Sequence, residues 1–227
     1  MKKGTRLYIN LTNKCNTNCP FCCMYSGTNK NTFMDFETFK KIIDGCKGKF
    51  ELQLEGGEPI LNKDIFLFIE YAISTNRCLK IIILSNGIEL QKYMKRFIDM
   101  ANWNKILIEF KISINYWLIK VENDFLYKMN LLLFSVKYLK YINIIFNVRK
   151  RKDKDENLDN LLKENDLYDH SNIYYLQSYG KLKNSKYDKP IIVQNIDNWF
   201  LYASDGTCFN QDLIARSDYE EKLLWTH

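Results

Sequence analysis

The pattern that most limits the fold is a repeated alternation of short apolar strands with segments of helical spacing. RLYINLT (6–12), ELQLE (51–55), LKIIILS (79–85), KILIEFKISIN (105–115), YINIIFNVR (141–149) and IYYLQS (173–178) have the β-branched and aromatic content of strands. Between them, Phe36, Phe39, Ile42 and Ile43 follow an expected Asp35 cap, and Ile65, Phe68, Ile69, Ala72 and Ile73 follow Asn62. Leu90, Tyr93, Met94, Phe97 and Ala101 give a third helix, and residues 122–140 and 157–165 two weaker ones. Strand, helix, strand, repeated, builds a parallel sheet with right-handed crossovers, and a run such as KIIIL suits a strand covered on both faces. A chain of 227 residues is short for a full eight-unit barrel, which typically takes about 250. The expected fold is therefore α/β, a partial (β/α)6 TIM-like barrel over residues 1–180, with residues 181–227 as an extension packed on the same domain. Within that extension, NWFLYASDGTCFNQDLI (198–214) sets Asp205-Gly206 between two apolar arms, which predicts a β-hairpin carrying Cys208 on its returning strand.

Several classes of protein are disfavoured by composition. No apolar run approaches the roughly 18 residues of a membrane span, and MKKGTRLYIN lacks a signal peptide's apolar stretch, so a cytoplasmic protein without a membrane partner is expected. The net charge of +6 invites a nucleic-acid reading. However, lysine is spread along the whole chain and the densest run, RKRKDKDE (149–156), mixes both signs, so nucleic acid is not an expected partner. Seven cysteines is an odd number, and in a reducing compartment clustered thiols hold metal or do chemistry more often than they form bridges.

In parallel α/β folds, function gathers on the loops at the carboxyl edge of the strands. The loop after the first strand reads CNTNCPFC (15–22), with Cys23 next. Three thiolates on so short a loop can converge on one ion or cluster, and soft sulfur selects zinc or iron–sulfur. A closed zinc site takes four ligands, and adjacent Cys22 and Cys23 point apart, although a zinc-binding module remains the non-enzymatic alternative. Three ligands on a four-iron cluster instead leave one iron open.

With YINLTNK before it, CNTNCPFC resembles the signature of the radical S-adenosylmethionine (SAM) superfamily, C-x3-C-x2-C with an aromatic before the last cysteine. The resemblance implies that Cys15, Cys19 and Cys22 ligate one 4Fe-4S cluster and that Phe21 packs near the adenine of SAM. EGGEP (55–59), ending the second strand, resembles the superfamily's GGE motif, whose backbone and carboxylate meet the SAM amino group. Gly56, Gly57, Glu58 and Pro59 fit that role chemically, since glycine permits close approach, an acid suits an ammonium, and proline stops the strand. SNG (85–87) stands where relatives often have TNG. ISIN (112–115) makes Ser113 and Asn115 candidates for the SAM ribose or carboxylate, with Asn115 where many relatives have Asp; Asn147 on the fifth strand is a further candidate. The similarity runs over residues 6–178.

The resemblance also implies a mechanism, in which an electron from flavodoxin or ferredoxin cleaves SAM to methionine and a 5′-deoxyadenosyl radical that abstracts hydrogen from a substrate. With only Cys208 after Cys78, no second cluster is expected, and Cys46 and Cys78 are expected to be buried thiols. A single cluster and a short tail favour a ribosomally made peptide or a small metabolite as substrate. A glycyl-radical activating enzyme and an RNA- or nucleotide-modifying enzyme are the alternatives. Cys208 is a candidate hydrogen-atom donor to a substrate radical, against the plainer role of packing the hairpin.

Overall fold

In the computed structural model, residues 5–152, 154–190 and 199–223 are described. The elements follow one another as β1 (Thr5–Asn10), α1 (Phe36–Gly45), β2 (Phe50–Glu55), α2 (Ile65–Ser74), β3 (Cys78–Ser85), α3 (Leu90–Asn104) and β4 (Ile108–Asn115). They continue as α4 (Tyr116–Val121), α5 (Phe125–Val136), β5 (Ile142–Lys150), α6 (Leu158–Glu164), β6 (Ser171–Tyr175), β7 (Trp199–Tyr202) and α7 (Leu213–Leu223). The result is an open α/β fold of seven parallel strands with alternating helices, which is the class the alternation predicts.

Two compact units are present, Met1–Ile83 with Gln177–His227, and Leu84–Leu176. In the first, β1 pairs in parallel with β2 on one side and β7 on the other, and β2 pairs with β3. Leu7 and Ile9 of β1 and Phe50, Leu52 and Leu54 of β2 are fully buried. Asp35 accepts from Thr38 N and starts α1, and Phe39 of α1 stacks on Phe68 of α2 with ring centroids 4.6 Å apart. Burying each such ring stabilises the unit by roughly 1.5–3 kcal/mol. Period-two alternation turns a different set of side chains to the other face of the sheet: Arg6, Tyr8 and Asn10 on β1, in register with Glu51, Gln53 and Glu55 on β2. Asn10, Gln53 and Glu55 are buried, and buried polar groups in such a row point to a site at the strands' carboxyl ends.

In the second unit, β4, β5 and β6 pair in that order, all parallel. Phe97 of α3 meets Phe110 of β4 edge-on at 5.1 Å. Asn115 ends β4, and its Oδ1 accepts from Trp117 N and Leu118 N at 3.0 Å, which starts α4. Periodicity does not reveal that helix because its six residues continue an apolar run.

The tail differs from expectation by a strand and a helix. The hairpin forms: Phe209 N donates to Leu201 O and Leu201 N to Asn210 O, both at 2.8 Å, around a turn in which Gly206 has φ +89°. Asn198, the first residue of the expected hairpin, lies outside the described residues. The first arm is also β7, a seventh strand added beside β1, and Asp212 then accepts from Ala215 N to start α7. No helix among the described residues is long and apolar enough to cross a membrane.

Candidate functional site

The cysteine loop leaves β1 through a set of turns that its own polar residues close. Thr12 Oγ1 donates to Thr32 O and accepts from Lys14 N, while Asn13 Oδ1 accepts from Thr32 N. Cys15 N donates to Gly27 O, and Cys22 N to Cys19 O. Cys15 is buried, and Cys19, Cys22 and the intervening Phe21 are partly exposed. Burial, then the neighbouring Cys22 and Cys15, push the Cys19 thiol up to about 12. Cys19 therefore stays a neutral thiol unless a cation is present to offset the charge that ionising it beside Cys22 and Cys15 would create.

The segment after β2 is pressed against this loop. Gly57 N donates to Thr12 O at 2.7 Å and Glu58 N to Lys14 O at 2.9 Å. Gly56 has φ +139°, and a Cβ there would lie 2.2 Å from Asn10 Oδ1 and 2.3 Å from Thr12 O. Glycine is the residue this approach demands. Glu58 is fully buried and its Oε1 accepts from Ile60 N, capping a short 3-10 turn that begins at Pro59.

The carboxyl-terminal segment closes over the same place, and the sequence patterns do not anticipate it. Gly180, at φ +59°, sits so close that a Cβ would lie 2.4 Å from Cys23 Cα. Lys181 N donates to Cys22 O at 3.1 Å, its Nζ to Cys19 O at 3.3 Å and Ser26 O at 3.2 Å, and Ser217 Oγ donates to Cys23 O. From α7, Arg216 Nη1 meets Glu55 Oε1 at 2.6 Å, with both residues more than nine-tenths buried. Glu55 Oε2 in turn accepts from Gln53 Nε2 at 2.8 Å. The ion pair lacks hydrogen-bond alignment despite its short distance, and Arg216 Nε and Gln53 Oε1 have no hydrogen-bond partner among the described residues. Glu220 accepts from Asn10 Nδ2 and Ser204 N, and burial raises its carboxyl above the ordinary range. The signal that could have exposed α7 is RSDYE, a polar run whose Arg216, Ser217 and Glu220 all turn inward.

Cys208 is exposed on the returning arm, opposite Tyr202, whose phenol is raised by burial and then by Cys208. In the second unit, Ser113 stands beside Asn147 in the β4–β5 register, and both are partly exposed. Asn115 is buried and occupied as the α4 cap. Asn86, in the SNG turn, accepts from Ile88 N at 3.0 Å. Cys15, Cys19, Cys22, Phe21 and Gly56 to Pro59 are thus gathered in the first unit, while Ser113, Asn115 and Asn147 lie at the carboxyl half of the strands of the second.

Residues 9–116 match the Radical SAM superfamily. That match spans just under half of this chain and takes in both the cysteine loop and the GGE segment. The chain is 25% identical over 231 residues to a GTP 3′,8-cyclase of Mannheimia succiniciproducens, covering 96% of this chain and 60% of that protein. A GTP 3′,8-cyclase of Campylobacter curvus is 31% identical over 100 residues, 41% of this chain and 30% of that one. The chain therefore spans less than two thirds of the length of these curated relatives. In fold it is similar to native anSMEcpe with bound AdoMet and Cp18Cys peptide, at TM-score 0.62 and 13% identity, covering 98% of this chain and 80% of that one.

Members of that superfamily use a 4Fe-4S cluster and SAM, and the residues gathered here fit both. Among the described residues no three His, Cys, Asp or Glu side chains are arranged to hold a single metal ion. A cubane cluster offers its irons at separate corners, which suits three thiols spread along one loop. Beside them, two glycines bring backbone against the loop where a side chain would collide.

Proposed function

We propose that the chain is a radical SAM enzyme whose cluster is held by Cys15, Cys19 and Cys22. The observation that carries this reading is the packing of Gly56-Gly57-Glu58 onto Thr12 to Lys14, which sets the GGE segment directly beside the cysteine loop. When bound, the reduced cluster and SAM supply a 5′-deoxyadenosyl radical that abstracts hydrogen from substrate. The chain's own part is to bind, orient and exclude water. Cys15, Cys19 and Cys22 would hold the cluster, which would bind SAM beside them. The Gly56 to Pro59 segment receives the amino end and Phe21 packs near the adenine. Ser113, Asn115 and Asn147 serve the ribose or carboxylate. Flavodoxin or ferredoxin delivers the electron, in the cytoplasm. The substrate is a peptide or small metabolite, and Cys208 returns a hydrogen atom to its radical. A nucleotide substrate is the second reading, favoured by the relatives named GTP 3′,8-cyclase.

Anaerobically reconstituted protein given dithionite and SAM is expected to release 5′-deoxyadenosine, and Cys19→Ala to release none. A cluster-loaded protein that never cleaves SAM overturns the assignment. Stimulation of that release by GTP would move the substrate to the nucleotide class. Cys208→Ala is expected to cleave SAM normally while its product is lost or diverted; unchanged turnover to the same product makes Cys208 a packing residue.

A further inference from the structure

We propose that Lys181 is a positioning residue for the cysteine loop and that its ammonium raises the reduction potential of the cluster bound there; this rests on the radical SAM reading above. Three hydrogen bonds tie this residue to the loop. Its backbone N–H reaches Cys22 O at 3.1 Å, and its ammonium bridges Cys19 O at 3.3 Å and Ser26 O at 3.2 Å. One residue from outside the loop therefore holds carbonyls of two of the three thiol-bearing residues.

The neighbouring geometry fixes where Lys181 can be. Gly180 packs against Cys23 Cα, and its carbonyl accepts from Tyr25 Oη at 2.8 Å. The chain at residue 180 is thus pinned from two sides, and Lys181 is delivered onto the loop by backbone contacts. Its side chain need only extend to reach the Cys19 and Ser26 carbonyls. The ammonium also acts electrostatically on the Cys19 thiol, opposing the effect of its sulfur neighbours.

A fixed positive charge at a cluster's edge favours the reduced form, because one added electron makes the site more negative. In this half-reaction the cluster gains one electron from dithionite and no bond in the protein changes. Lys181 touches the thiol-bearing residues through their carbonyls, a contact of the kind that tunes metal centres, and it comes from more than 150 residues downstream. The ammonium is solvent-exposed, so its influence is screened by salt.

The experiment compares reconstituted wild type, Lys181→Gln and Lys181→Arg by iron content and by potentiometry with an electron paramagnetic resonance readout. Lys181→Gln is expected to hold as much iron as wild type but to shift the oxidised-to-reduced ratio about tenfold at fixed poise, ~59 mV to the negative for one electron. Lys181→Arg is expected to keep most of the wild-type potential, and 1 M salt to narrow the gap between wild type and Lys181→Gln. In iron-free protein, amides of residues 15–23 exchange faster in Lys181→Gln than in wild type or Lys181→Arg. Equal potentials at equal iron content, or equal exchange in all three proteins, overturn the proposal. Failure of wild type itself to take up iron would instead be a failure of the metal reading, and the exchange comparison would still decide the positioning role.

Discussion

At Gly57 there is no room for a side chain: a Cβ would sit 2.2 Å from Lys14 O, a backbone atom that cannot turn aside. Gly57→Ala is expected to push the cysteine loop from the β2 end, costing about 1–3 kcal/mol in urea denaturation and lowering iron uptake with it. Asp35 makes a simpler case. Its carboxylate accepts from Thr38 N, and that backbone hydrogen bond holds its carboxyl below the usual range. Asp35→Ala is expected to cost about 1 kcal/mol at neutral pH. A depressed folded-state value means the contribution is present above the unfolded Asp value and fades as pH falls through the folded one, so the two proteins converge in acid. Residues of this kind were legible in the sequence because each carries its reason locally: a cap before an apolar period, three cysteines on one turn, two glycines at a strand end. Arg216 was not, since its partner Glu55 is far away along the chain and nothing near either residue announces the other.

Helix α7 shows why an element can escape notice. Helices are read from an apolar stripe, yet the buried residues of α7 are Arg216, Ser217 and Glu220, so the stripe that would betray it is polar. Strand β7 was half visible, as an arm of a hairpin, but its parallel pairing of Leu201 with Tyr8 is long-range and left no local trace. The α7 contact makes a sharp prediction. Arg216→Met leaves the Glu55 carboxylate buried without its cation and is expected to destabilise the fold by about 3–5 kcal/mol, measured by chemical denaturation. Adding Glu55→Gln removes the stranded charge and should recover most of that loss. Equal stability of wild type and Arg216→Met would show that the contact contributes little.

For the molecule as a whole, the alternation of strands and helices gave the class, the parallel direction and six of the strands, while the second compact unit and the tail's closure over the loop depend on contacts no local pattern encodes. Of the four cysteines outside the motif, Cys23 adjoins it and the other three are dispersed: Cys46 and Cys78, expected to be buried, are partly exposed at the end of α1 and the start of β3, and Cys208 is exposed on the hairpin. Reconstitution is therefore expected to give about four irons per chain by elemental analysis, and a value near eight would mean a second cluster. The clamp on the loop also has a consequence for how the protein is made. Cys23 waits 194 residues for Ser217, and Cys19 waits 162 for Lys181. A ribosome translating at about 5–20 residues per second leaves the nascent thiols unbraced for roughly ten seconds or more, exposed to oxidant and to stray metal before the segment that secures them has been synthesised.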